Sequence, residues 1–83
     1  MTRYAFTITR TDDDREEEDR VMSRGLHTLT EDEDPFVFAY TRLHQNRMQH
    51  SYYTGPRRVT YWPFCEDQPF RHVAPENAEY IDG

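Results

Sequence analysis

The sequence predicts an α+β fold, a small single domain with an antiparallel sheet of about four strands and one acidic helix after the first strand. Three features lead to it: a short alternating segment at the start, an acidic segment with helix signals, and aromatic and β-branched runs after residue 35. The 83 residues are expected to form one domain, 1–83, with an acidic segment at 11–34 and an aromatic, β-rich segment at 35–64. A chain of this length is near the lower limit for independent folding.

The first predicted element is a strand over residues 3–10. Tyr4, Phe6 and Ile8 alternate with Ala5 and Thr7, which is the period-2 pattern of a strand with one buried face.

The second predicted element is a helix that begins near Asp12 and ends near Arg24. Thr11 followed by Asp14 resembles a capping box, and the acidic residues that follow suit the positive end of a helix dipole. Gly25 is positioned for a left-handed C-terminal stop. The apolar residues of this region have helical spacing and should cover the sheet; they are Val21, Met22, Leu26 and Leu29.

The remaining strands are predicted as a three-stranded meander. Residues 36–43 are rich in aromatic and β-branched types, so they are expected to form a central strand after a break at Pro35. Polar residues at 44–47 and 54–57 would turn the chain into strands at 48–53 and 58–62. Beyond them, the prolines leave a short extended piece at 70–73 and a helical turn from 75 to 81.

The charge of the chain is concentrated at one end. Eleven of its sixteen carboxylates lie in the first thirty-four residues, which carry the whole net charge of −6, whereas the remainder is neutral. Crowded carboxylates repel one another and weaken a helix, a cost that solubility alone does not require. A solvated, solubilising face is the simpler interpretation, but the clustering favours an anionic surface that binds a basic partner.

The sequence contains no recognisable catalytic or cofactor motif. Ser23, Ser51 and Cys65 have no nucleophile signature around them, and the only three glycines form no phosphate-binding loop. His44, His50, Cys65 and His72 lack the close pairing of zinc ligands. Neither acidic tract has the internal glycine of a calcium loop. We therefore expect no enzyme activity, no cofactor and no specific metal.

The single cysteine and the lack of a long apolar stretch predict a cytoplasmic protein with no membrane role. In small size, acidity and absence of catalytic signatures, the chain resembles the accessory inhibitors that phages make, including DNA-mimic and anti-CRISPR proteins. That resemblance implies residence in the cytoplasm of a host cell and a non-enzymatic mode of action.

These observations predict a protein-binding inhibitor, monomeric or dimeric, that occupies the basic, nucleic-acid-binding surface of a larger protein and does not itself bind nucleic acid. Two acidic arms and two aromatic anchors are the candidate binding residues. They are Asp12, Asp13, Asp14, Glu16, Glu17, Glu18, Asp19, Glu31, Asp32, Glu33, Asp34, Tyr53 and Trp62.

Two other functions are compatible with the sequence. The chain could be a structural or assembly subunit that adds a sheet edge or its acidic helix to a larger complex. It could also bind single-stranded nucleic acid, if Phe36, Phe38 and Tyr40 share one strand face near Arg42 and stack on bases.

Overall fold

A computed structural model describes residues 1–12, 14–65 and 75–83. Two helices and four strands follow one another within these ranges. They are β1 (Thr2–Arg10), α1 (Glu17–Arg20), β2 (Val21–Leu29), α2 (Pro35–Gln49), β3 (Arg57–Pro63) and β4 (Glu79–Asp82). The strands form one antiparallel sheet in the order β2-β1-β3-β4. The predicted α+β class with a four-stranded antiparallel sheet is confirmed, and a helix, α1, does follow the first strand.

The core lies between one face of the sheet and α2. Residues directly opposite one another on neighbouring strands point to the same face, so Phe6, Ile8 and their partners Tyr61 and Val59 form one apolar surface. Helix α2 covers this surface with one of its sides. The core cluster consists of Phe6, Ile8, Leu29, Phe38, Ala39, Leu43, Val59 and Tyr61.

The predicted strand over 36–43 is wrong, because these residues begin α2. Asp34 is its N-cap and accepts a hydrogen bond from the N–H of Phe36 at 2.9 Å, and Pro35 occupies the first turn. Proline suits this position since its missing N–H has no partner there in any helix. Pro35 therefore begins a helix, whereas we expected it to mark a break before a strand.

The predicted strand over 48–53 is also wrong, since α2 continues to Gln49 and ends at the cap residue His50, whose N–H donates to the carbonyl of Asn46. The predicted meander is therefore not formed. The strand predicted at 58–62 is confirmed as β3, and it pairs with β1.

The predicted acidic helix is much shorter than expected. Only Glu17–Arg20 is helical, and the chain then enters β2 and pairs antiparallel with β1. Gly25 does not end a helix; it lies opposite Phe6, and an added Cβ would stand 3.0 Å from Cε1 of that ring. The close approach of an aromatic ring thus favours glycine here, and Gly25 does not adopt the expected left-handed conformation.

The C-terminal part of the prediction needs one correction. Residues 75–78 form a turn, and the chain then continues as the edge strand β4, where a helical turn was expected. Arg58 and Asp82 pair across β3 and β4 with 2.6 Å between Nε and Oδ1. The extended piece predicted at 70–73 lies outside the described residues.

Two phenylalanines of α2 distinguish the helix from the strand that was predicted there. Phe38 is 9% exposed and Phe36 is 53% exposed, whereas in a strand residues two apart would share one face. We expect Phe38→Ala to lower the free energy of unfolding by about 3–5 kcal/mol, which can unfold so small a domain, and Phe36→Ala to cost less than about 1 kcal/mol. Urea denaturation followed by circular dichroism measures both. Equal losses from the two variants would contradict the helix.

The β3–β4 pair predicts an alkaline transition. The Tyr61 hydroxyl donates to Oε2 of Glu79 at 3.0 Å, and burial together with this hydrogen bond raises the pKa of Tyr61 from 10.0 to about 12. The unfolded chain ionises first, so this contribution to stability is complete below pH 10 and is lost between pH 10 and about 12.

Ultraviolet titration of the tyrosines should accordingly show a late step in the native protein. We expect Tyr61→Phe to remove that step and to make the loss of stability between pH 10 and 12 smaller. Tyr40→Phe, at an exposed position, is the matched control and should leave the late step in place. A Tyr61→Phe protein with an unchanged late step would show that another phenol is responsible.

Candidate partner-binding surface

The two acidic tracts lie at opposite ends of β2. Residues 12–19, here called the acidic connection, join β1 to β2, whereas residues 31–34, here called the acidic turn, follow the far end of β2 and lead into α2. Nine residues of strand separate them, a distance of about 27 Å at the usual rise per residue. The two arms therefore do not form one continuous patch.

The acidic turn is held in a defined conformation by its own side chains. The N–H and the hydroxyl of Thr30 both donate to Oε1 of Glu33 at 3.1 Å, and the N–H of Glu33 donates to the carbonyl of Thr30. The hydrogen bonds from Thr30 hold the pKa of Glu33 below its usual value. Together with the Asp34 cap, these bonds fix the direction in which the turn presents its carboxylates.

Glu31 and Asp32 are the carboxylates of the acidic turn that these bonds do not engage. Both are exposed. Glu33 and Asp34 also remain exposed and charged, although each accepts hydrogen bonds from the chain. Half of the tract therefore has a structural use, and the other half is available to another molecule.

The acidic connection is only partly described. Asp12, Asp14, Glu16 and Asp19 are exposed, whereas Asp13 and the side chains of Glu17 and Glu18 lie outside the described part. Asp12 is tied to the fold, since its carboxylate accepts a hydrogen bond from the hydroxyl of Tyr53.

The two predicted aromatic anchors are both used within the molecule. Tyr53 is half-buried between the guanidinium groups of Arg10 and Arg57, which lie 4.6 Å and 5.1 Å from the centroid of its ring. Trp62 is only 7% exposed, and it lies opposite Ala5 on the face of the sheet away from α2. Neither ring presents its face to solvent as an exposed anchor would.

The exposed apolar side chains beside the acidic turn come from α2. Phe36, Val37 and Tyr40 form what we call the aromatic face, each more than half exposed. The rings of Phe36 and Tyr40 stack with centroids 6.5 Å apart and 17° between their planes. Sequence reasoning missed this surface, because it placed these residues on a strand; the Asp34-Pro35 pair was the available signal for the helix.

A hollow of about 500 Å³ adjoins the aromatic face, between α2 and β2. His27 stacks on Phe38 with ring centroids 5.1 Å apart, and a guanidinium nitrogen of Arg42 lies 3.4 Å from Nδ1 of His27. The hollow is also lined by three carboxylate-bearing residues and by part of the aromatic face: Asp32, Glu33, Asp34 and Val37. Its lining combines apolar and acidic side chains with the guanidinium of Arg42.

The rings expected to form a base-stacking sheet are arranged differently. Phe36, Phe38 and Tyr40 belong to α2, and Phe38 is buried in the core. In the described ranges, no group of three His, Cys, Asp or Glu side chains comes close enough to hold a metal ion. His72, one of the residues considered for zinc, lies outside those ranges. Neither of the two described helices is long and apolar enough to cross a membrane.

In comparisons with known proteins, no protein-family model, no curated protein and no solved structure matches the chain significantly.

The cap of α2 gives a prediction about stability. Asp34→Ala removes the acceptor for the N–H of Phe36, and we expect it to lower the free energy of unfolding by about 1 kcal/mol. Asp32→Ala removes the same charge two residues earlier without removing a cap, so its effect should stay within about 0.5 kcal/mol. Chemical denaturation of both variants checks the difference. Equal destabilisation would mean that charge, and not capping, explains the loss.

Proposed function

We propose that the protein is a non-enzymatic inhibitor that binds a larger protein on a basic surface which otherwise holds nucleic acid. The contact is made by the acidic turn together with the aromatic face of α2. The observation that supports this most directly is the adjacency of ordered, exposed carboxylates and exposed stacked rings at one end of the molecule.

Each half of this surface has a distinct role in the proposed complex. Carboxylates held in a fixed turn lose little conformational freedom when they pair with arginine or lysine, and they also steer a basic partner toward the contact. The rings of Phe36 and Tyr40 bury large apolar areas, as the central residues of protein interfaces do. A partner that offers arginines around an apolar depression would match both.

The proposed mechanism is competition for a shared site. Proteins that bind nucleic acid hold its phosphates with arginine and lysine, and carboxylates at the same positions exclude the phosphates by occupying their partners. The acidic turn is the primary arm of this surface. The acidic connection, at the far end of β2, can contribute only if the basic surface of the partner extends over about 27 Å.

The arms should act independently of each other. Exposed charges separated by more than a Debye length, about 8 Å at physiological salt, are largely screened from one another. Neutralising one arm therefore leaves the other unchanged, and the two can be tested separately.

A second candidate function is assembly into a larger complex through a sheet edge. Strand β2 is an outer strand of the sheet and is nine residues long, and an edge strand of this length can pair with another chain. Size-exclusion chromatography with light scattering separates the possibilities. A stable oligomer would favour assembly, and a monomer that captures a basic protein would favour inhibition.

Charge neutralisation of the acidic turn tests the proposed function. The immobilised chain is first used to isolate binding proteins from the cells in which it is produced, and the captured protein is then purified with a labelled oligonucleotide bound to it. We expect the native chain to displace the oligonucleotide, and Glu31→Gln with Asp32→Asn to weaken displacement about tenfold or more, since each lost charged hydrogen bond costs about 1.5 kcal/mol or more.

The control is the double variant Glu16→Gln with Asp19→Asn, which removes the same charge from the acidic connection. It should displace the oligonucleotide more effectively than the variant of the acidic turn. Phe36→Ala should also weaken displacement, because it shortens the aromatic face while the core is kept. A captured protein that retains its oligonucleotide in the presence of excess native chain would refute inhibition.

A further inference from the structure

A buried guanidinium lies beside the end of α2 that is remote from the acidic turn. Arg57, the first residue of β3, is 3% exposed. One of its terminal nitrogens donates to Oδ1 of Asn46 at 2.6 Å, and the other donates to the carbonyl of Tyr53. Both acceptors are neutral. Of the five N–H groups of a guanidinium, these bonds use two, and Nε is buried without a partner in the described part of the chain.

Burial of this cation is unfavourable in its present surroundings. Removing a charged group from water is costly unless an opposite charge or a full set of hydrogen bonds compensates. Asn46, itself 2% exposed, adds a second buried donor, Nδ2, without a partner among the described residues. Loss of hydration lowers the pKa of Arg57, and the positive charges of Arg47 and Arg10 lower it further. Arg10, Arg47 and Arg57 therefore lie near one another, at the end of the sheet from which the acidic connection starts.

A hollow of about 390 Å³ opens beside Arg57. Arg47, which is exposed in the last turn of α2, lines the same hollow, and so do Ser51 and Thr54 with their hydroxyl groups. Asp12 is an acidic side chain of this region, and its carboxylate is engaged by the hydroxyl of Tyr53. Gly83 also lines the hollow and exchanges backbone hydrogen bonds with Arg57. The lining thus offers cationic and hydroxyl donors around a volume several times that of a small anion.

We propose that this hollow binds a phosphate-type oxyanion, held by Arg47 and the hydroxyl groups and neutralising the buried charge of Arg57. Planar guanidinium groups match the oxygens of phosphate in pairs, and such charge-assisted bonds are about twice as strong as neutral ones. The site is separate from the acidic turn, since it lies at the other end of the fifteen-residue α2. Free phosphate and a phosphate monoester present the same chemistry to it.

Titration of the whole protein with inorganic phosphate tests the proposal. Ionic strength is kept constant with chloride, and binding is followed by isothermal calorimetry and by the melting temperature. We expect saturable binding with a rise in the melting temperature. Arg47→Gln should weaken binding about tenfold or more through loss of a charge-assisted contact. Glycerol phosphate is titrated in parallel, and tighter binding of the ester would identify a monoester as the preferred form.

Arg24→Gln is the matched control, because it removes the same charge at another exposed position, on β2. It should bind phosphate as the native chain does. Equal weakening in the two variants would show that only net charge is involved and would overturn the site, as would a response to phosphate no greater than the response to chloride. Both variants change exposed side chains, so the fold is kept and neither result depends on the loss of Arg57.

Discussion

The structure depends on the burial of one sheet face under a single helix. The chain is poor in aliphatic residues, and aromatic rings carry much of the core: Phe6 meets Phe38 edge to face, with centroids 5.7 Å apart, and Tyr61 completes the surface from β3. Edge-to-face pairs add to the stabilisation that burial itself supplies. Since α2 is the only long helix in the described residues, the position at which it starts decides which of its side chains are buried and which remain exposed. The exposed aromatic face is therefore a consequence of the same packing.

Sequence patterns predicted the elements whose local and tertiary preferences agree. Strand β1 has the alternating sequence pattern of a strand, and both β1 and β3 are found. The structure buries both faces of β1, however, since Ala5 and Thr7 are buried as well as Phe6 and Ile8. The failures arise where the two preferences conflict. Residues 36–43 have the composition of a strand, yet the cap Asp34 and Pro35 start a helix, and Phe38, Ala39 and Leu43 have the spacing of one helical side. Propensity is a weak guide where packing decides. The helix stop predicted at Gly25 was wrong for another reason. The close approach of Phe6 is a contact between strands, and no local sequence pattern reveals it.

The acidic residues show how one composition serves two purposes. A tract of carboxylates reads in sequence as a single property, but within the acidic turn Glu33 and Asp34 are hydrogen-bonded to the chain, whereas Glu31 and Asp32 are not so engaged. Asp12, in the acidic connection, is likewise bound by Tyr53. A count of carboxylates therefore overestimates how many of them are without a hydrogen bond to the chain and available to another molecule. What the sequence could not give was their separation by the length of β2, which follows from strand pairing over long sequence distances.

Helix α2 has charges of opposite sign near its two ends. Its first turn follows four carboxylates, and its last turn carries Arg47 near the buried Arg57. The N-terminus of a helix dipole is positive and its C-terminus is negative. The carboxylates before α2 and the arginine in its last turn are therefore both favourably placed. The acidic connection lies at the same end of the sheet as Arg57, since it follows Arg10, the partner of Arg57 on β1. An anion bound near Arg57 would add negative charge at the C-terminal end of α2, about a helix length of 22 Å from the acidic turn. At physiological salt that distance exceeds the range of unscreened interaction between exposed charges, so the two surfaces can be occupied together without competing.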